Sequence, residues 1–475
     1  MKSVDKIYIN GSFVKPHGEE LFDLFNPVTG KEIGSVILAD AVDTRNAILA
    51  AKKALVTFSK TTKQERIKML QRLHDAVVAN ESELTEVMLE EYGAPLSFSS
   101  WAARYAAESF LNAAKTLNEY PLVRNIGTTE VVMEPVGVVG LITPWNSNYS
   151  FICNKLSMAI AAGCTAVIKP SEMSALQTYA LTECLHQAGL PAGVFNIVTG
   201  RGDVVGAEIS SSPDVSKISF TGSTLVGKTI MRASAETLKR VTLELGGKSP
   251  TIILEDADLS EAVKQVVAAG FINSGQACLN GTRVLVPAAR LDEFYPLIKE
   301  AIGALKVGDP HDPSTTIGPM VSQKQYERVQ HYINLGIEEG ANVLVGGAGK
   351  PDGLEDGFFI KPTVFINVTN DMTIAKEEIF GPVIAVISYK TEEEAIQIAN
   401  DTIYGLQSFV VSGSAEHARV VASQIQSGRV TINGAPHDQH SPFGGFKQSG
   451  IGREYGVFGL ESYLEAKAIS TIGTL

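Results

Sequence analysis

Residues 138–169 read VVGLITPWNSNYSFICNKLSMAIAAGCTAVIK. The stretch opens on a short apolar run, Val138–Ile142. It passes a break at Pro144 and Asn146, and then its period changes. Phe151–Ala162 carries apolar residues at helical spacing, and Ala166–Lys169 is a second short apolar run. Strand, helix and strand in so short a span make a βαβ unit, since parallel neighbours need a helix-length crossover. The alternation continues through a helix at Ala175–Ala188, a strand at Val194–Val198, a helix at Val204–Ser210, a strand at Lys217–Phe220 and a helix at Leu225–Ala235.

A second alternating block runs from Thr251 to Asn433. Its expected strands lie near Thr251–Leu254, Thr282–Val286, Val383–Ser388, Ser408–Val411 and Arg429–Ile432. Its helices include Leu291–Leu305, Glu392–Asn400 and Glu416–Gln424. Residues 5–37 read as short strands and turns, and Asp40–Leu117 as helices. Thr128–Ile142 is strand-like with breaks at Pro135 and Gly137. The tail from Tyr455 starts around a helix turn and ends strand-like. No Ser/Pro-rich linker separates the blocks, so two α/β units should pack closely with a cleft between them.

The chain has 475 residues, enough for two or three domains. A formal net charge of −12 argues against nucleic acid and anionic membranes as partners. Four cysteines in this length form no disulfide framework, which suits a reducing compartment. The start lacks an apolar leader segment and no run is long enough to span a bilayer, so a cytoplasmic protein is expected.

One of the four cysteines stands apart. In FINSGQACLNGTR, Phe271–Arg283, Cys278 follows the small or polar Gly275-Gln276-Ala277. A helical pattern over Leu259–Asn273 precedes it and a strand follows. A loop between a helix and a strand can present a thiol to a ligand, although most free cysteines are simply buried hydrophobes.

Two segments suit phosphate. Gly222–Thr229 spells GxxxxGK[ST] after a strand, and Thr251–Asp256 imitates the apolar strand ending in an acid that would hold Mg²⁺. A nucleotide hydrolase is therefore one reading. Gly200–Gly206 spells GxGxxxG, one residue longer than the dinucleotide fingerprint. Both place helix N-termini at strand ends, where anions are favoured.

Three further groups bear on thiol chemistry. Glu244, in VTLELGG, ends a strand among apolar neighbours, where desolvation would raise its pKa toward general-base duty. Asn146 ends LITPWN and could donate its amide to an oxyanion. Lys169-Pro170-Ser171-Glu172 offers a cation, a hydroxyl and an acid that could grip ribose hydroxyls or cap the following helix.

These segments, in this order, resemble the NAD(P)-dependent aldehyde dehydrogenase superfamily over nearly the whole chain. The resemblance includes ITPWN, IKPSE, FTGSTxxG, LELGGKSP, FxxxGQxC with Arg283 after it, EEIFGPV (Glu377–Val383) and PFGGFKQSGIGRE (Pro442–Glu454). It implies two Rossmann-like parallel-sheet domains, cofactor-binding and catalytic, plus a small β oligomerisation arm. The implied division is 1–117 with 137–246 for NAD, 247–448 for catalysis, 118–136 with 464–475 for the arm, and 449–463 returning. It places the phosphate-loop match inside the element used for the NAD pyrophosphate.

By the same resemblance, Cys278 is the nucleophile, Glu244 the water-activating base and Asn146 an oxyanion donor, with Lys155 and Glu454 relaying protons. The implied cofactor set takes in Ile142, Thr143, Pro144 and Trp145 after one strand, and Lys169, Ser171 and Glu172 after the next. Gly202 and Gly206 follow, then Phe220, Thr221, Gly222, Ser223 and Val226, then Leu245 and Gly246, and finally Glu378 and Phe380. NAD is expected over NADP, because Glu172 would repel a 2′-phosphate. A CoA-acylating relative is disfavoured because Glu244 is present, and a catalytically silent protein because every catalytic type is present.

The substrate wall is expected to include Ser147, Tyr149, Asn154, Ala277, Leu279, His437 and Phe443. Ser147, Asn154 and His437 stand where relatives often carry aromatic rings, so small or polar aldehydes are expected. Tyr149, Phe151 and Phe443 are the remaining candidates for apolar walls. His437-Asp438-Gln439-His440 is read as pocket lining or surface and not as a metal site. The strand-like tail, with Thr128–Val136, is expected to hold a homodimer or homotetramer. Glu465 is expected to pair with Arg240 and Arg453 near that interface.

Overall fold

The computed structural model describes residues 2–471. Its centre is an eight-stranded sheet in the order Gly450–Ile451, Arg240–Glu244, Lys217–Thr221, Val138–Ile142, Thr165–Lys169, Phe195–Ile197, Ile7–Ile9 and Ser12–Val14. The five strands from Arg240–Glu244 to Phe195–Ile197 run parallel; Gly450–Ile451 and Ile7–Ile9 pair antiparallel to that block, and Ser12–Val14 pairs antiparallel to Ile7–Ile9. Alternate residues face opposite cores. Val139, Leu141, Ala166 and Ile168 pack under one layer of helices, and Val138, Ile142, Val167, Ile218 and Phe220 under another. A sheet covered on both faces explains why its strands read as unbroken apolar runs.

The second sheet has seven strands in the order Asn342–Val345, Thr363–Ile366, Val383–Tyr389, Arg283–Pro287, Pro250–Ile253, Gln407–Val411 and Arg429–Ile432. All run parallel except the first. It too is covered on both faces, with Leu285 in one core and Val284 and Val286 in the other. The long helix Gln323–Glu338 and the strands at 342–345 and 363–366 belong to this block without having been singled out in the sequence.

Three smaller features differ from the sequence reading. The helix from Leu259 stops at Gly270, and a 3₁₀ turn with left-handed residues carries on to Gly275. The segment expected as a helix from Val204 starts as a π-turn over Gly202–Gly206, and only Ala207–Ser211 is α-helical. The strand at the arm runs through Pro135, which is tolerated because it is that strand's last residue.

The arm is a three-stranded antiparallel sheet, Leu464–Ser470 against Thr129–Pro135 against Val123–Ile126. The expected arm segment extends to 475, and residues 472–475 lie outside those described. Glu465 does pair with Arg240, but both side chains are about half exposed in the single chain. Arg453 does not join them. Its Nη1 donates to the carbonyls of Gly445 and Gly452, and its guanidinium lies over the Phe446 ring. Among the described residues no helix is long and apolar enough to cross a membrane.

Candidate active site

Strand order reverses beside Val138–Ile142. The next two strands in sequence, Thr165–Lys169 and Phe195–Ile197, lie on one side, and the two after them, Lys217–Thr221 and Arg240–Glu244, lie on the other. A crevice outside the carboxyl ends of such strands is where open α/β sheets bind ligands. Thr143 and Thr221 stand at those ends, and each keeps a buried hydroxyl with no hydrogen-bond partner among the described residues. Lys169 ends the next strand and donates from Nζ to Glu172 Oε2 at 3.0 Å. Ser171 Oγ caps the following turn by accepting from Met173 N at 3.3 Å. Ser223 and Val226 are exposed at the start of the helix Thr224–Ala235. The side chains of Ile142, Phe220 and Leu245 instead belong to the core beneath, so only their backbone can face a ligand. Gly206 is buried in the same region, while Gly202 is open to solvent.

The nucleotide-hydrolase reading loses its second half here. The strand ending near Asp256 lies in the seven-stranded sheet, whereas the glycine loop belongs to the eight-stranded one. Asp256 accepts from Ser412 Oγ and Ser414 N, and Lys228 donates to Gln448 instead of curling over the loop.

The turn before Cys278 is held in a demanding shape. Asn273, Ser274 and Gly275 all have positive φ, at 53°, 57° and 81°. Left-handed backbone costs non-glycine residues energy, so other contacts must hold it. Asn273 Nδ2 lies 2.7 Å from both Tyr92 Oη and the Asn146 carbonyl. Ser274 Oγ accepts from Gly318 N at 2.8 Å, and Gln276 bonds Pro319 O and Val321 N. A Cβ at Gly275 would overlap the Gly381 carbonyl. Cys278 is therefore presented by a turn fixed from four other segments.

Asn146 approaches the same turn, its Nδ2 donating to the Gln276 carbonyl at 2.9 Å. That leaves one amide hydrogen of two for a ligand. Burial, then Glu378 and then Glu244, push the Cys278 thiol far above its usual range. Glu244 ends its strand fully enclosed, and neither carboxylate oxygen has a hydrogen-bond partner among the described residues. Burial first, and Glu454 second, raise its pKa well above the carboxylate range. Lys155 and Glu454 form a buried ion pair, joined by Ser219 and by Asn154 Nδ2 at 3.2 Å from Glu454 Oε2. Glu378 Oε1 accepts from Gly247 N at 3.1 Å, and burial raises its pKa to about 7. Its side chain lies where a Cβ at Gly246 would stand, which is why glycine occupies that position. The Trp145 and Phe380 rings meet edge to face at 5.5 Å.

A cavity of about 390 Å³ opens onto Cys278. Of the residues expected in the substrate wall, Ser147, Ala277, Leu279, His437 and Phe443 line it, together with Asn146. Tyr149 and Asn154 do not. Tyr149 is fully enclosed, its hydroxyl donating to the Leu84 carbonyl at 2.9 Å, and Asn154 faces Glu454. The expected shortage of rings is also corrected. Phe98, Trp101, Tyr105, Phe151, Phe409, Phe443 and Tyr455 all reach the wall, several from segments distant in sequence.

A profile of the aldehyde dehydrogenase family matches residues 13–469. A 3-succinoylsemialdehyde-pyridine dehydrogenase of a Pseudomonas species is 46% identical over 471 residues, 99% of each chain. The solved aldehyde dehydrogenase C of Pseudomonas syringae, a cysteine-to-alanine mutant complexed with NAD⁺ and octanal, is 43% identical. It superposes with a TM-score of 0.97 over 98% of this chain and 96% of its own. An aldehyde dehydrogenase of Mycobacterium tuberculosis complexed with NAD⁺ is 40% identical, with a TM-score of 0.96 over 99% of each chain. The chain belongs to the aldehyde dehydrogenase family. Aldehyde oxidation is the activity this membership supports.

Several residues that build this dehydrogenase's site carried no signal of their own in the sequence. Gln325 Nε2 donates to the Phe380 carbonyl at 2.8 Å and Arg328 Nη2 to the Glu378 carbonyl at 2.7 Å, holding that segment in place. Asn273 and Tyr92 hold the cysteine turn, as above. Arg283 is fully buried and donates to Lys248 O, Asn370 Oδ1, Ile398 O and Ala399 O, so its place after the cysteine is structural. The other three cysteines are buried, with thiols pushed up by burial.

Proposed function

We propose that this enzyme oxidises an aldehyde to a carboxylic acid with NAD, through a thioester on Cys278 that Glu244 helps to hydrolyse. One observation carries the reading: Cys278 and Asn146 line one cavity, and the buried carboxylate of Glu244, without a partner among the described residues, lies near enough to raise the pKa of that thiol. The thiol is neutral at rest, so it must lose its proton as it attacks the carbonyl carbon. The Asn146 amide and the Cys278 N–H then stabilise the oxyanion of the thiohemiacetal, each such donor being worth about 10²–10³ in rate. NAD, when bound, supplies the hydride acceptor. Glu244 afterwards draws a proton from water as it attacks the thioester, which its raised pKa equips it to do. The buried Lys155–Glu454 pair lies next to it and can pass that proton on.

The crevice suits NAD. Two orphaned threonine hydroxyls, an exposed helix start at Ser223 and the Lys169–Glu172 pair face it, and Glu172 disfavours a 2′-phosphate. The ring-lined wall suits an aliphatic or aromatic aldehyde, in line with the octanal complex of the Pseudomonas syringae relative. Glu244→Gln should give a burst of NADH followed by slow turnover. Loss of the burst with turnover would move Glu244 to an earlier step. Product release that requires CoA would favour the acylating alternative.

The arm sheet leaves Val123, Ile126 and Ile469 exposed, and an unpaired sheet edge invites another chain. We assign it to a homodimer or homotetramer. In the single chain the exposed Arg240–Glu465 pair is worth about 0–1 kcal/mol. Glu465→Lys should therefore loosen the assembly in light scattering with little loss of protomer stability. An unchanged assembly would remove the pair from the interface.

A further inference from the structure

One part of the cavity wall carries a charge that the rest lacks. The strands Gln407–Val411 and Arg429–Ile432 pair in parallel, with Gln407 beside Arg429 and Phe409 beside Thr431. All four line the cavity, as residues two apart on one sheet face must. Gln407 spends its amide hydrogens on Ser408 O and Thr431 Oγ1. The Arg429 guanidinium makes no ion pair and no hydrogen bond with any described residue. The groups that bear on it are the Tyr105 and Tyr455 phenols, both kept neutral by burial. His437 lies near enough to feel the same cation. Burial first and Arg429 second hold it neutral, and its buried Nδ1 also has no partner among the described residues.

Arg283 shows how this fold treats a structural arginine. Its guanidinium is enclosed and donates to four protein acceptors. Arg429 loses part of its water without gaining any such acceptor, an arrangement that costs energy until an anion arrives. A planar guanidinium is the side chain best shaped to take a carboxylate through two parallel bonds.

We infer that Arg429 is a specificity residue that receives a carboxylate at the far end of the substrate, so that preferred substrates are aldehydes bearing a terminal carboxylate. This rests on the aldehyde oxidation proposed above. The aromatic wall holds the intervening methylene groups, and His437, in its Nδ1–H tautomer, donates to the second carboxylate oxygen.

The test compares matched pairs: butanal with succinic semialdehyde, hexanal with adipic semialdehyde, and octanal with suberic semialdehyde. At one or more lengths the wild type should favour the semialdehyde by about tenfold or more in kcat/KM, mostly through KM, as one charge-assisted contact provides. Arg429→Met should remove that preference while leaving the alkanal within about threefold, and Arg429→Lys should retain part of it. Arg429→Gln replaces Arg429→Met should the latter not fold. No wild-type preference at any length, a preference that survives loss of the arginine, or an equal loss on both members of each pair would overturn the inference. If neither series reduces NAD, the proposed oxidation fails first; if alkanals alone react well, only the role of Arg429 fails.

Discussion

The turn at Gly222–Ser223 is closed mostly by its own neighbours, whereas the turn at Asn273–Gln276 is closed by residues from far along the chain. Ser223 caps its own helix by accepting from Val226 N, and its carbonyl takes Gly227 N. Asn273, Ser274 and Gln276 bond Tyr92, Asn146, Gly318, Pro319 and Val321 instead. Both turns are glycine-marked segments between regular elements. The first is a local solution that many sequences could share, which is why it imitates a phosphate loop. The second stores left-handed backbone that only the assembled protein can hold.

The largest effect should separate the two turns. Cys278→Ala should abolish aldehyde oxidation and leave NAD affinity unchanged in a fluorescence titration, because the thiol belongs to one turn and the cofactor crevice to the other. Appreciable turnover by the pure, folded variant would refute the role of Cys278.

Next, two glycine substitutions sharpen the comparison. Gly275→Ala must place a methyl group against Gly381 at positive φ, costing about 1–3 kcal/mol from the backbone alone before the clash. It should lower both the melting temperature and kcat. Gly202→Ala meets open space, so its stability should stay within about 0.5 kcal/mol while KM for NAD rises. Equal melting temperatures for the two variants would show that the cysteine turn is not strained.

The smallest effect lies in the cavity wall. His437 has its pKa lowered from 6.5 to about 4, so the unfolded chain binds the extra proton first as pH falls. Native stability should therefore decline as pH drops from 6.5 toward 4, and His437→Phe should lessen that decline in denaturant titrations. Identical pH slopes for the two proteins would place His437 in water.

The wall also shows where reading along the chain ran out. Three substitutions near Asn146 and His437 suggested a polar tunnel, yet Phe98, Trp101 and Phe409 supply rings from a helix and a strand far away in sequence. Asn154, eight residues past Asn146, faces Glu454 instead of the cavity. Arg453 carried a family role beside Glu465 but bonds its own loop.

By itself the sequence determined the βαβ alternation, both parallel sheets, the thiol's place between a helix and a strand, and the position of Glu244 at a strand end. Those follow from period, apolar runs and turn residues, which act over a few neighbours. Only the tertiary structure decided that the phosphate-loop and acidic-strand signals lie in different sheets. It alone decided which side chains line the cavity, and that the Arg429 guanidinium has no partner among the described residues while Arg283 has four acceptors. Such outcomes depend on register and on contacts between segments hundreds of residues apart. Burial and hydrogen bonding become properties of a residue only once those segments have met.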